Sequence, residues 1–454
     1  MRKYFGTDGI RRIANTELTP ELVYKVAKAG AYVLSKHTKD IPTILIGRDT
    51  RLSGTLIESA MTAGFLSFGA NVKSLGVIPT PGVAYLTKKL KADASVVISA
   101  SHNTYEFNGI KYFSNKGMKI PDDLETEIEE ILDSGKIDEL TAHPSKIGVS
   151  EYREDLVDEY VYFLRKSFEE NIEKHINDDF HIVLDVANGA TYKVAEKVYT
   201  KLGVNFDIIN NSPDGININE NCGSTHLEQL KKYVIENKCN LGIAYDGDGD
   251  RCLAIDENGN EIDGDTILAV ISKYLKAKDK LANNTIVATI MSNLGLNKFA
   301  EENNINIKQT KVGDRYVLEE MIKNGYNIGG EQSGHVIMLD YNPTGDGILT
   351  SLMLLQILLE KKIPASQLCS IIKKYPQSMV NVKIKNDKKS LLNDNKDIKE
   401  QIDRITKLLG NEGRIIVRPS GTEPLVRVMV EGPKQEEIDK YAQQIADLIK
   451  NKLN

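Results

Sequence analysis

Short apolar runs of strand length alternate along this chain with stretches of helical amphipathicity, and that alternation restricts the fold more than any other feature. Strand-like Thr43 to Gly47, Val72 to Val77 and Ala94 to Ile98 enclose helix-like Leu56 to Phe68 and Gly82 to Leu90. Apolar runs interleaved with period-3.6 faces describe βαβ units, which build parallel sheets. The pattern restarts at Ile182 to Val186, followed by a helix near Tyr192 to Leu202 and a strand at Asn205 to Ile209. It restarts again at Thr285 to Thr289, followed by a helix at Leu294 to Glu302. Three α/β units are predicted. After Pro364 the pattern changes. Ser378 to Lys385 reads as a strand, Lys396 to Leu409 as a helix, and Arg414 to Arg418 and Leu425 to Glu431 as strands. A final helix follows Pro433, with Ile438, Tyr441, Ile445 and Leu448 on one face. This last unit reads as α+β. Thr19 before Pro20 marks the start of the first helix. Joints at Ala142 to Arg153, Asp256 to Gly264 and Lys361 to Gln367 divide the chain into domains 1–152, 153–257, 258–368 and 369–454.

A chain of 454 residues has room for several cores. Its net charge of −6 gives no general attraction to nucleic acid or anionic membrane, so any anion site must be local. The cysteines, Cys222, Cys239, Cys252 and Cys369, form no Cys-x-x-Cys pair, and neither a zinc ribbon nor a disulfide framework is expected. With no apolar leader at Met1 to Asp8 and no uninterrupted apolar run of membrane length, a cytoplasmic location is the expectation, with no nucleic-acid or membrane partner.

Four loops carry chemistry. In Tyr245-Asp246-Gly247-Asp248-Gly249-Asp250-Arg251, three carboxylates alternate with glycine after the apolar run Leu241 to Ala244. Glycines allow the sharp turns that let three oxygens converge on one hard cation such as Mg²⁺. An EF-hand requires glycine where Arg251 stands, and helices where Asn240 to Tyr245 and Cys252 to Ile255 read as strands. Three carboxylates and a dication leave about one negative charge. A phosphoserine beside them raises the imbalance to roughly −3, which calls for cations; Arg251, Lys111 and Arg11 are the candidates. The second loop, Ser99-Ala100-Ser101-His102-Asn103, follows the apolar strand Ser95 to Ile98 and precedes Asn108-Gly109-Ile110-Lys111. It reads either as an exposed hydroxyl that can carry a transferable group or as an ordinary polar turn. The third, Gly329-Gly330-Glu331-Gln332-Ser333-Gly334-His335, combines groups that read sugar hydroxyls; a surface glycine turn is the plainer reading. The fourth, Arg418-Pro419-Ser420-Gly421-Thr422-Glu423-Pro424 with Arg427 beyond it, suits a phosphate dianion or is a hairpin turn with incidental arginines. No Gly-x-x-x-x-Gly-Lys-Ser/Thr occurs, which excludes a P-loop nucleotide enzyme.

In their order and spacing these loops resemble the four signature loops of the α-D-phosphohexomutases, and the resemblance spans essentially the whole chain. Phe5-Gly6-Thr7-Asp8-Gly9-Ile10-Arg11, Gly47-Arg48-Asp49-Thr50-Arg51 and Gly330 to His335 look most like the branch that acts on glucosamine phosphates. The resemblance implies four domains arranged as a heart around a central cleft, three of related mixed α/β architecture and a mobile α+β fourth. It implies that Ser101 is a phosphoserine that donates its phosphoryl group to glucosamine 6-phosphate. The resulting 1,6-bisphosphate then returns its 6-phosphate to Ser101, releasing glucosamine 1-phosphate for UDP-N-acetylglucosamine synthesis. Asp246, Asp248 and Asp250 would hold Mg²⁺, with the Ser101 phosphate as a further ligand. Lys111, His335 and Arg11 would serve proton transfer and charge stabilisation. Arg251, Glu331 and Ser333 would bind the sugar, and Arg418, Ser420, Gly421, Thr422 and Arg427 the phosphate that is not reacting. Glucosamine or glucose 1,6-bisphosphate would prime the enzyme; a homodimer is left open. The rival readings are a phosphoglucomutase or phosphomannomutase of the same superfamily, and a metal-dependent phosphatase that passes the phosphoryl group to water. Two residues depart from the family pattern: Thr104 stands where proline is usual, predicting a less rigid serine loop, and Arg12 stands where glycine is usual, predicting strain if φ is positive there.

Overall fold

A computed structural model describes residues 3–6, 8–36, 38, 40–176, 179–392, 394–420 and 424–453. The first sheet is built from β1 (Ile10–Ile13), β2 (Thr43–Arg48), β3 (Asn71–Val77), β4 (Ala94–Ile98), β5 (Phe107–Ser114) and β6 (Ser150–Tyr152), in the order β1-β5-β4-β2-β3-β6. Between and after these strands run α1 (Pro20–Leu34), α2 (Gly54–Phe68), α3 (Thr80–Lys89), α4 (Asp122–Asp133) and α5 (Val157–His175). As the Thr19-Pro20 pair predicts, the Thr19 hydroxyl caps α1, accepting from Leu22 N at 3.3 Å. The second sheet holds β7 (His181–Asp185), β8 (Asn205–Ile209), β9 (Leu241–Tyr245), β10 (Cys252–Asp256) and β11 (Glu261–Ile262), ordered β11-β10-β9-β7-β8, with α6 (Tyr192–Lys201) and α7 (Glu228–Asn237) as crossovers. After α8 (Gly264–Ala277), the third sheet holds β12 (Thr285–Thr289), β13 (Asn306–Thr310), β14 (Ile328–Gly330) and β15 (Val336–Met338), ordered β13-β12-β14-β15. Its connecting helices are α9 (Leu294–Glu302) and α10 (Asp314–Asn324); α11 (Gly347–Lys361) and α12 (Ala365–Cys369) follow. The fourth sheet is small and antiparallel: β16 (Gln377–Lys383), β17 (Arg414–Pro419) and β18 (Leu425–Glu431), in the order β16-β18-β17, with α13 (Lys396–Leu409) and α14 (Gln435–Leu453).

The apolar runs read as strands are buried along their whole length in β4, β9 and β12, as the interior of a sheet covered on both faces requires. Each of the first three sheets switches from parallel to antiparallel pairing at one place. β5 pairs antiparallel with β4, β10 with β9 and β15 with β14, after parallel pairings elsewhere in the sheet. The serine, acidic and glycine-rich loops are the connections at those three reversals, each at the carboxyl end of a strand.

The chain forms two units, Met1–Met291 with Ile305–Ile371, and Ser292–Asn304 with Ile372–Asn454. In the second unit α9 is tied to the small sheet: Asn293 Nδ2 donates to Tyr375 O at 2.9 Å, and Leu294 N to the Glu431 carboxylate at 3.2 Å. The core of this unit includes Val382, Ile398, Ile405, Val426, Val428 and Ile445. The inner face of α14 is Ile438, Ala442, Ile445 and Ile449; Tyr441 and Leu448, expected on that face, flank it half-buried.

Two expectations about the backbone change. The stretch Asn108 to Lys111, read with the serine loop, is strand β5, and Arg12 lies in β1 opposite Asn108. Arg12 is therefore extended and unstrained; the positive φ falls on Gly9, at 74°. Its guanidinium donates to Lys3 O at 2.9 Å and lies over the Tyr4 ring.

Candidate active site

Ser101 has φ 52°, in the left-handed region that a side-chain-bearing residue adopts only when its surroundings force it. Four groups supply that force. Asn219 Nδ2 donates to the carbonyls of Ser101 and Asn103, 2.9 Å each. The fully buried Arg51 guanidinium also donates to both, reaching Ser101 O at 3.2 Å, and is itself paired with buried Asp49. The Ser99 hydroxyl accepts from Ser101 N at 2.9 Å and donates to Asp49. Gripped at two carbonyls, the loop is held at its base despite Thr104 replacing the family's proline. This backbone aims the Ser101 hydroxyl at the acidic loop, where Oγ donates to Asp246 Oδ2 at 2.7 Å.

The three aspartates are almost wholly buried, and one oxygen from each lies within 4.8 Å of the others. Gly247 permits this approach, since a Cβ there would stand 2.6 Å from Ser101 O. Gly249 supplies the φ of 71° that turns the chain between Asp248 and Asp250. Asp246 Oδ1 accepts from Arg251 N at 3.1 Å. Asp248 Oδ2 accepts from Thr80 Oγ1 at 2.7 Å and from Lys111 Nζ at 2.9 Å. The remaining oxygens, Asp248 Oδ1 and Asp250 Oδ1, are buried without a hydrogen-bond donor. Burial, then the neighbouring carboxylates of Asp250 and Asp248, push Asp246 well above the usual carboxylate range. Orphaned oxygens and mutual repulsion in one buried set of hard donors fit a divalent cation.

Cations and carboxylates interleave around this loop. Lys111 Nζ bridges Asp248 to Asp8 Oδ2, 3.0 Å away, and although burial opposes its charge, those two carboxylates raise its pKa further. Lys111 is accordingly a fixed positive charge. Arg11 donates to Asn103 Oδ1 and Asp8 Oδ2, 3.1 Å each. Lys119, from the segment after β5, pairs with Asp8 and with Asp314 at the start of α10. Arg251 is mostly buried, and the carboxylates of Asp246, Asp250 and Glu331 outweigh that burial to hold its charge. His102, beside Ser101, is pushed down to about 4 by burial and by Arg251, and is neutral near pH 7.

The glycine-rich loop brings His335 to the same place. Its Nδ1 lies 3.5 Å from Asp250 Oδ2 and its Nε2 lies 3.5 Å from Asp314 Oδ2. Gly345 N, 3.1 Å from Nε2, selects the neutral tautomer protonated at Nδ1, whereas the two carboxylates overcome burial and raise the ring's affinity for a second proton. Glu331, raised by burial, accepts from Gly313 N at 3.1 Å; Ser333 is exposed. The first three predicted loops thus come together in the first unit.

In the second unit Arg418 and Arg427 stand directly opposite each other on β17 and β18. Two like charges in cross-strand register repel. Arg418 is held below its usual value by burial and by Arg427, and its Nε is buried without a hydrogen-bond partner. Ser420 O accepts from Lys389 Nζ at 2.7 Å, adding a third cation. Gly421 and Thr422 lie outside the described residues.

Sequence reasoning overlooked Arg51, Thr80, Lys119, Asn219 and Asp314, and gave Asp8 no role. Asp8 and Arg51 do lie in the quoted Phe5 to Arg11 and Gly47 to Arg51 segments, a signal that could have exposed them.

The chain matches four family descriptions in order. These are Phosphoglucomutase/phosphomannomutase alpha/beta/alpha domain I over residues 2–138, domain II over 158–259, domain III over 263–375, and the C-terminal domain over 379–448. The chain belongs to the phosphoglucomutase/phosphomannomutase family. Full-length relatives in this family include proteins named phosphoglucosamine mutase from Clostridium beijerinckii, 51% identical over 458 residues, and Clostridium botulinum, 52% identical over 455; each match covers 100% of both chains. A phosphoglucomutase/phosphomannomutase family protein from Burkholderia thailandensis has the same fold, with a TM-score of 0.82 at 21% identity over 99% of this chain and 98% of that one. As a phosphohexomutase, the protein has mixed α/β domains I to III and a separate C-terminal domain, and carries in Asp246, Asp248 and Asp250 the acidic set suited to the metal that this family's chemistry uses.

Proposed function

We propose that the protein interconverts glucosamine 6-phosphate and glucosamine 1-phosphate through a phosphorylated Ser101 and a glucosamine 1,6-bisphosphate. The observation that carries the chemistry is the Ser101 hydroxyl, held in a forced backbone conformation 2.7 Å from Asp246 of the buried acidic triad. Support for the amino sugar comes from the full-length relatives, about half identical and named phosphoglucosamine mutase.

In the forward half-reaction the sugar's 1-hydroxyl oxygen bonds to the phosphorus carried by Ser101 as the Oγ–P bond breaks. The hydroxyl's proton leaves to the Asp250–His335 pair. In the second half-reaction the bisphosphate, turned end for end, returns its 6-phosphoryl group to Ser101 Oγ, and the pair gives the proton back to the 6-oxygen. Asp246, Asp248 and Asp250 would hold Mg²⁺, which supplies neutralisation of charge on the transferring group. Lys111 and Arg11 balance the remaining negative charge at fixed positions, and Arg251, Glu331 and Ser333 bind the sugar. Arg418, Arg427 and Ser420, together with Gly421 and Thr422, hold whichever phosphate is idle. Glucosamine or glucose 1,6-bisphosphate restores Ser101 phosphate when it is lost. The product serves UDP-N-acetylglucosamine synthesis in the cytoplasm; no helix among the described residues is long and apolar enough to cross a membrane.

The test is conversion of glucosamine 6-phosphate with Mg²⁺ and a trace of bisphosphate, run beside glucose and mannose 1-phosphates with free phosphate monitored. Preference for the amino sugar is expected, and Ser101→Ala should lower turnover by at least about 10³-fold. Preference for glucose or mannose overturns the substrate, free phosphate as main product overturns the mutase reaction, and an active Ser101→Ala variant overturns the phosphoserine.

A further inference from the structure

Asp185 closes β7 beside the strand that carries the acidic loop, in register with Ala244 of β9, and is fully buried. Its Oδ1 accepts from Ala187 N at 3.0 Å and from Asn210 Nδ2 at 3.1 Å, and its Oδ2 accepts from Gly223 N at 2.8 Å. Committed to three N–H donors and closed to solvent, this carboxylate is placed to shape backbone rather than to react. Asn210 and Gly223 are the two ends of the polar loop that leaves β8, so one side chain pins both ends, and Asn219 lies between them. The third donor leads to the same residue. Ala187 has φ 54°, in the left-handed region where an alanine stays only under constraint. The bond from Ala187 N to Asp185 supplies that constraint, and Ala187 O, so placed, accepts from Asn219 N at 3.0 Å.

We infer that Asp185 is a positioning residue for Ser101 and acts through Asn219. The inference rests on the phosphoserine reaction proposed above. The Asn219 side chain donates to Ser101 O and Asn103 O, so its own backbone must be fixed for the grip to hold. Asp185 fixes it three times: at the start of the loop through Asn210, at its end through Gly223, and at Asn219 N through Ala187. Loosening any of these lets Asn219 drift, and a drift of roughly 1 Å at the reacting oxygen costs about 10²-fold in rate. The carboxylate itself touches neither the sugar nor the transferring group.

Asp185→Asn keeps the size of the side chain and sets an NH₂ group against at least one of its N–H donors, whichever way the amide faces. In the full-length protein with Mg²⁺, intact mass follows the loading of Ser101 from glucose 1,6-bisphosphate, in which one phosphoryl group moves to Oγ and a glucose monophosphate leaves. Steady-state kinetics follows glucosamine 6-phosphate. Loading rate and kcat should fall about 10- to 10²-fold in Asp185→Asn, with KM unchanged. Asn210→Gly accepts the φ of 54° at that partly exposed position and removes a single clip; it should lower both by a smaller factor, and it decides the matter if Asp185→Asn melts well below wild type. Asp185→Asn combined with Asn219→Ala should be no slower than Asn219→Ala alone, because two changes on one route do not add. Normal loading in folded Asp185→Asn or in Asn210→Gly, beside a wild type that loads, overturns the role of Asp185 alone. So does a loss expressed in KM, or a double variant slowed by both factors multiplied. A wild type that takes up no phosphoryl group on Ser101 overturns the phosphoserine and this role together.

Discussion

Asn219 holds the carbonyl oxygen of Ser101 through its side-chain amide, at 2.9 Å, across 118 residues of sequence. The same Nδ2 holds Asn103 O, so one amide sets both ends of the turn that aims the Ser101 hydroxyl. Asn219→Ala should therefore lower kcat by about 10²-fold, the scale of a misplacement of roughly 1 Å at a reacting atom. Asn219→Asp sets acceptors against two acceptors and should be worse than alanine. Steady-state kinetics on both variants, with thermal melts to confirm folding, checks the order; equal activity in all three proteins would remove Asn219 from the positioning of Ser101.

The acidic triad should respond in opposite ways to mutation with and without metal. Neutralising Asp246 relieves repulsion among three buried carboxylates, so Asp246→Asn in a chelator should melt no lower than wild type. Wild type should gain about 2.7 kcal/mol from Mg²⁺ at a hundred times its Kd, and the variant little. Melting curves with and without Mg²⁺ decide this, and chelation should remove wild-type activity reversibly.

Arg418 and Arg427 are opposed in register, so removing one relieves a repulsion while removing a proposed phosphate ligand. Arg418→Ala should raise KM by about 10- to 10²-fold, from the loss of one charge-assisted contact, while leaving the melting temperature unchanged or higher. A variant with normal KM would exclude this loop from the substrate site.

Stability should carry a pH signature from Asp346, which caps α11 by accepting from Leu349 N at 3.0 Å and accepts from Tyr160 Oη at 2.8 Å. Burial pushes its carboxyl up to about 6. Because the folded value exceeds the unfolded one, its contribution is complete below about pH 4 and is lost as pH rises through 6, a change of about 3 kcal/mol. Urea unfolding at a series of pH values should show this slope in wild type and not in Asp346→Asn. Parallel slopes would mean that Asp346 ionises no less readily in the folded protein.

The reaction loops were legible because their chemistry is concentrated in short runs: alternating Asp and Gly at Asp246 to Asp250, and mixed polar groups with glycine at Gly329 to His335. The parallel strands were legible because burial on both faces leaves continuous apolar runs such as Ala94 to Ile98. What escaped was long-range. Asn219 sits in a polar run with no periodic signal, and its value lies in a turn that is distant in sequence. Lys119 and Asp314 look like solvated surface charges until Asp8 and His335 are placed beside them. Strand β5 was hidden because its first half, Asn108-Gly109, carries turn-like residues at a position where Gly109 lets β1 and Ser99 approach.

The three direction reversals, β4 to β5, β9 to β10 and β14 to β15, also divide labour. Each loop hangs from two strands of its own sheet, yet the three meet: Asn219 grips the serine loop, Gly247 lies against it, and His335 of the glycine-rich loop faces Asp250 at 3.5 Å. A graft confined to Gln332-Ser333, which leaves His335 beside Asp250, should therefore change which sugar is accepted while nucleophile and acidic triad stay as they are.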